Sequence, residues 1–184
     1  MSYKNILSEN KDGIFHITIN RPKQLNALNN ATIVELNKAI TKADNDNSVR
    51  CMILTGAETK AFVAGADINE FAAFNKKEGE MLARKGQELL FDLLENATTP
   101  TIAAVNGFAL GGGLELAMAC HIRIASDNAK MGLPEVSLGV IPGYGGTQRL
   151  AHLVGKGKAM EMITTAGMLS AEEAQQWGLV NHVC

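Results

Sequence analysis

Two carboxylates in this sequence occupy surroundings that disfavour charge. Glu115 lies among Leu114, Leu116, Ala117 and Met118, and Glu135 is the single charged residue between Lys130 and Arg149. An ionised carboxylate in apolar company carries a desolvation cost unless it is paired or hydrogen-bonded. Two such groups can hold one water molecule and divide the acid and base roles that proton chemistry near neutrality requires. Each also has a plainer reading. Taken singly, Glu115 reads first as a charge favouring the start of a helix, and Glu135 as an ordinary exposed turn residue.

Glycine supplies the second element. Gly111-Gly112-Gly113 directly precedes Glu115, and Phe62-Val63-Ala64-Gly65-Ala66-Asp67 forms a second small-residue stretch. Glycines at a helix N-terminus leave backbone N–H groups bare, where they can hold a phosphate or a developing oxyanion. The phosphate reading lacks a GxxxxGK[ST] or GxGxxG motif. Acyl chemistry uses two amides converging on one carbonyl oxygen, and two such loops are available. Tight turns and a close helix–strand crossing explain the same glycines without any ligand.

Other constellations fail. There is no HExxH and no GxSxG, and His16, His121, His152 and His182 are widely spread. Trp177 and Phe62 read as packing residues, and residues 155–158 (GKGK) as a solvated basic turn. Cys51, Cys120 and Cys184 form neither a disulfide framework nor a CxxC pattern, which suits a reducing compartment; Cys51 and Cys120 read as core.

These groups need a scaffold that brings distant segments together. Residues 13–20 (GIFHITIN) alternate as a strand that Arg21-Pro22 ends. Residues 49–55 read as an inner strand. Between them residues 29–44 carry Ile33, Leu36, Ile40 and Ala43 at helical spacing behind an Asn-Asn pair suited to capping. Residues 78–96 predict an amphipathic helix with Met81, Leu82, Leu89, Leu90, Leu93 and Leu94 on one face. Residues 101–105 read as a buried strand, 106–113 as a glycine-rich loop, 114–120 as a helix and 121–126 as a strand. Residues 131–147 read as loop with short helical turns, 148–165 as a helix, and Ser170 as the cap of a further helix. The alternation of strand and helix argues for one α/β domain.

Composition sets the bounds. The chain has 184 residues, 17 Lys+Arg against 19 Asp+Glu, and 46% hydrophobic residues. That balance permits a real core and offers no electrostatic reason to expect nucleic acid or an acidic membrane as partner. The polar start shows no signal-peptide core and no run long enough to span a membrane, so a cytoplasmic location is expected.

Taken together, residues 19–29 (INRPKQLNALN), 61–71 (AFVAGADINEF), 100–126 (PTIAAVNGFALGGGLELAMACHIRIAS) and 131–150 (MGLPEVSLGVIPGYGGTQRL) resemble the crotonase superfamily, and within it the enoyl-CoA hydratases. The resemblance implies an α/β superhelix of repeated ββα units, assembled as a homotrimer or dimer of trimers. It implies that the amides of Ala66 and Gly112 form an oxyanion hole, and that Glu115 and Glu135 flank the reacting water. It places Ala64, Ala66, Asp67, Ile68, Asn69 and Gly112 at the acyl-CoA site, with Asp67 beside the adenine pocket; members often carry Lys where this chain has Asn69. Coenzyme A enters as part of the substrate, with no metal or redox cofactor. Members that only shift a double bond often keep one of the two glutamates, so the pair favours hydration over isomerisation. Some relatives bind RNA through a lysine-rich helix, and here residues 78–96 offer only Arg84 and Lys85. Members normally run on into C-terminal helices, so residues 1–184 are expected to be the family's N-terminal core.

Overall fold

The computed structural model describes residues 3–70 and 73–184; Phe71, which ends the second quoted stretch, and the first two residues lie outside them. Strands β1 (Ile6–Lys11) and β2 (Ile14–Ile19) form an antiparallel hairpin through Asp12-Gly13, both at positive φ. In β2 Phe15, Ile17 and Ile19 face the core, as its alternation predicts. Strand β1 was not foreseen. It is an edge strand burying only Ile6, so its sequence shows no alternation.

Helix α1 (Asn30–Asp44) follows, with the Asn29 side chain accepting from the Thr32 amide at its start. From here the chain repeats one pattern. Strand β3 (Cys51–Gly56) is followed by β4 (Ala61–Ala64), then by helix α2 (Lys76–Gly86), a π turn at Gln87–Phe91 and α3 (Asp92–Glu95). Strands β5 (Thr101–Val105) and β6 (Phe108–Leu110) lead into α4 (Gly112–Ala119). Strands β7 (Ile122–Ala125) and β8 (Lys130–Gly132) lead, through a 3-10 turn at Pro134–Leu138, into α5 (Gly146–Thr165). Strand β9 (Met168–Ser170), helix α6 (Ala171–Gln176) and β10 (His182–Val183) complete the chain.

The pairs β3–β4, β5–β6 and β7–β8 each send one strand to each of two sheets. One sheet runs β1-β2-β3-β5-β7-β10 and is parallel from β2 onward; the other runs β4-β6-β8-β9 and is parallel up to β8. Successive ββα units therefore stack one register apart, which is the expected superhelix. A continuous apolar core threads it, from Ile17 and Leu54 through Phe62 and Leu90 to Leu116 and Met131.

Several local expectations are corrected. Residues 61–64 are strand, not loop, because β6 pairs with them. Strands β6 and β8 lie inside stretches read as loop; at three residues each they leave no periodic signal. The helix expected over 78–96 begins at Lys76, where Asn75 and Glu78 form a capping box, and Met81 points to solvent rather than joining the apolar face. Trp177 is half exposed, with the Lys158 ammonium 5.2 Å above its ring, whereas Phe62 is fully buried. Cys120 is buried and Cys51 only partly so. Lys156 to Lys158 continue α5 beyond a break at Gly155, whose φ of 78° suits glycine. Among the described residues no helix is long and apolar enough to cross a membrane.

Candidate active site

Two loops bring the small residues together. The 65–67 loop is held by residues 21–28: Leu28 N donates to Gly65 O at 2.9 Å, Asp67 N to Leu28 O at 2.7 Å, and Ala64 N to Leu25 O at 3.1 Å. Asn26, buried, accepts from Arg21 N and donates to Ala57 and Ala61 carbonyls. The Arg21 guanidinium binds Asp67 at 2.9 Å and also donates to Ala27 O. The INRPKQLNALN stretch is thus a frame for the loop that carries Ala66.

The other loop is the entry to α4. Gly111 has φ 51° and ψ −125°, a conformation open to glycine, and its amide donates to Gly132 O at 2.9 Å. Gly113 lies flat against β4, since a Cβ there would overlap the Val63 carbonyl. This close crossing sets Gly112 beside Ala66: a Cβ on Gly112 would stand 3.7 Å from Ala66 N. Among the described residues neither the Ala66 nor the Gly112 amide donates to a protein acceptor. Both line one cavity of ≈ 1060 Å³.

Glu115, in the first turn of α4, is 1% exposed. Its Oε1 accepts from Tyr144 N at 2.8 Å and Gly146 N at 2.7 Å, so it also caps the start of α5. Gly146 must be small, because a Cβ there would sit 2.8 Å from that oxygen. Oε2 has no protein partner among the described residues. Burial pushes the Glu115 carboxyl up to about 7; the two amides and Arg149 oppose the rise, and the Glu135 charge adds to it.

Glu135 comes from the 3-10 turn after β8 and lines the same cavity. A Cβ on Gly111 would lie 2.9 Å from its Oε1, so the glycine makes room for the carboxyl. Its Oε2 is buried without a partner among the described residues, and burial raises its proton affinity as well. An orphaned carboxylate oxygen beside a second carboxylate suits a proton or a water between them.

Of the residues singled out from sequence, Ala64, Ala66, Ile68, Gly112, Glu115 and Glu135 line the cavity. Asp67 and Asn69 do not; Asp67 is engaged by Arg21 and by Asn69 Nδ2 at 3.1 Å. Sequence reasoning missed the apolar wall made by Leu82 and Ala83 of α2 with Leu138, Val140 and Ile141. It also missed Tyr144, whose ring stacks on Phe91 at 4.5 Å between centroids. The only hint of Tyr144 was its place in a glycine-flanked turn. Among the described residues, no group of three or more His, Cys, Asp or Glu side chains could hold a metal ion.

A family model described as Enoyl-CoA hydratase/isomerase matches residues 9–184. The chain is 52% identical over 183 residues to a short-chain-enoyl-CoA hydratase of Clostridium acetobutylicum and 49% identical to a crotonyl-CoA hydratase of Syntrophomonas wolfei. Each match covers all of this chain and 70% of the relative. A crystal structure of an enoyl-CoA hydratase from Bacillus anthracis superposes with a TM-score of 0.91 at 42% identity, covering 98% of this chain and 70% of that one. The matched range takes in both glycine loops and both carboxylates of the cavity, and this chain belongs to the enoyl-CoA hydratase/isomerase family.

Proposed function

We propose that this chain adds water reversibly across the double bond of a trans-2-enoyl-CoA thioester, giving a (3S)-3-hydroxyacyl-CoA. The observation that carries the reading is the meeting, in one cavity, of two undonated amides, the buried Glu115 carboxyl and the partly buried Glu135 carboxyl. The thioester carbonyl oxygen docks on the amides of Ala66 and Gly112. Negative charge moves onto that oxygen as the enolate forms, and the fixed N–H dipoles stabilise it without reorganising.

Glu115 in its ionised form takes a proton from water as the water oxygen bonds to C3. Protonated Glu135 delivers its proton to C2. The pair therefore works with one shared proton, and each direction of the reaction leaves that proton on the opposite carboxyl. Burial raises the proton affinity of both carboxyls, and the Glu135 charge adds to the rise at Glu115, which favours one shared proton on the pair. The amides that fix Glu115 Oε1 leave Oε2 to handle the proton.

The apolar wall of Leu82, Leu138, Val140 and Ile141 supports an acyl chain as the group lying beside the reacting carbons. A cytoplasmic homotrimer or dimer of trimers accompanies this reading; exposed Leu138 and Ile141 support burial of that rim against a further copy. Sedimentation of the purified chain tests the assembly. Loss of the enone absorbance of crotonyl-CoA tests the chemistry. The parent chain is expected to consume it and the Glu135→Gln variant to slow by about 10²–10⁴; equal rates would overturn the mechanism.

A further inference from the structure

The guanidinium of Arg149 is buried yet stays out of the cavity. Its Nη1 donates to Tyr144 O at 2.6 Å, and its Nη2 to Glu95 Oε2 at 2.6 Å and Asp92 Oδ1 at 3.4 Å. Its own backbone amide bonds Gly145 O at 3.0 Å. Tyr144 is therefore gripped on three sides: its carbonyl by Arg149, its ring by Phe91, and its amide by Glu115. We infer that Arg149 is the positioning residue for the base: it ties the Tyr144–Gly146 turn, whose two amides hold Glu115, to helix α3, and sets a fixed positive charge near that carboxylate. This rests on the reading of Glu115 as base.

The arrangement has a mechanical and an electrostatic part. A planar fork that bridges a carbonyl and a carboxylate holds geometry that a single ammonium does not. The charge favours the ionised form of Glu115, a smaller influence than burial, which opposes it, and than the two amide bonds, which act with it. The groups facing Glu115 are Glu135 from the 3-10 turn, the Tyr144 phenol from the loop and Arg149 from α5. Those facing Arg149 are Asp92 and Glu95 of α3, both roughly half exposed. Arg149 is thus the buried member of that ion-pair group, linking the two carboxylates to the Tyr144 carbonyl.

The test compares R149Q with R149K across pH, following crotonyl-CoA hydration. R149Q removes charge and fork together. Its kcat is expected to fall roughly tenfold or more at neutral pH, with KM unchanged because Arg149 does not line the cavity. Its acid limb is expected to move up by roughly half to one pH unit, since loss of a nearby cation makes the base harder to ionise. R149K keeps the charge, so its limb stays in place while kcat falls severalfold. The carboxyl carbon resonance of Glu115, assigned by its loss in E115Q, reads the same upward shift in R149Q without any turnover. An unchanged limb and resonance in folded R149Q, or the same shift in R149K, would overturn the inference. Should R149Q fail to fold, R149K decides alone, and a parental kcat there counts against the positioning role. Should the parent chain leave crotonyl-CoA intact while the resonance moves as expected, the hydratase reading falls and the coupling of Arg149 to Glu115 stands.

Discussion

The two walls of the cavity are built by opposite rules. One wall is β4, β6 and the start of α4, where Val63, Ala109 and Leu114 are fully buried and glycines let backbone touch backbone. The facing wall is the turn from Pro134 to Tyr144 with α2, where Leu138 and Ile141 are exposed and no sheet runs. The first wall carries the amides and Glu115, the second Glu135 and most of the apolar lining. On the proposed reading, the amides that meet the developing oxyanion sit where backbone is locked against backbone, and the side chains that meet an acyl chain sit where they can adjust.

Removing Glu115's carboxylate tests the strict wall hardest. The Glu115→Gln variant should lose about 10²–10⁴ in kcat and yet unfold at higher temperature than the parent above neutral pH. The sign follows from the raised value. Protonated Glu115 suits the buried site, so its contribution is full below its ordinary 4.5 and is lost as pH rises through about 7. A glutamine keeps an acceptor for both amides and never ionises. The gain should approach roughly 3 kcal/mol at pH 8 as an upper bound and vanish near pH 4, which thermal melts across pH will read. A variant no more stable than the parent at pH 8 would mean that the carboxylate is better solvated than its burial implies.

Next in size is Gly113→Ala. Its new methyl meets the backbone carbonyl of Val63, which has no rotamer to give. We expect a loss of about 1–3 kcal/mol in denaturant unfolding, with activity falling because Gly112 shifts relative to Ala66. The Asp67→Asn change should cost slightly less, about 1–2 kcal/mol, by leaving Arg21 without its carboxylate. Arg21 holds the Asp67 carboxyl below its ordinary value, so that stability is present above about pH 4 and fades below it in parent but not variant. Smallest is Ile141→Ala on the pliant wall. Its stability should move by no more than about 0.5 kcal/mol, while KM for longer acyl chains rises more than kcat falls. A large stability loss there would erase the contrast between the walls.

How far the sequence foretold this depends on where each signal lives. Asn29 as a cap, the alternation in β2 and the glycines before Glu115 are local, and each stands where expected. The partnership of β4 with β6 is not local, so FVAG read as a loop. Glu115 was visible as a charge in apolar company, but its acceptance of two amides from residues 144 and 146 needed the fold. Arg149 gave no sign, because the carboxylates that it binds, Asp92 and Glu95, lie in a distant segment.

The π turn at Gln87–Phe91 has an effect that reaches beyond its five residues. Upstream of it, Gly79, Leu82 and Ala83 look into the cavity; within and beyond it, Leu90, Phe91 and Leu94 are locked in the core. The wide turn acts as a phase adjuster between these two faces of one rod. A π turn takes up one extra residue within the winding, so α2 and α3 keep nearly the relative phase of an uninterrupted helix one residue shorter; an extra residue left in regular α winding would rotate α2 by about 100° relative to α3. The wide turn therefore lets this rod differ in length by a residue without changing the surface it turns to the cavity.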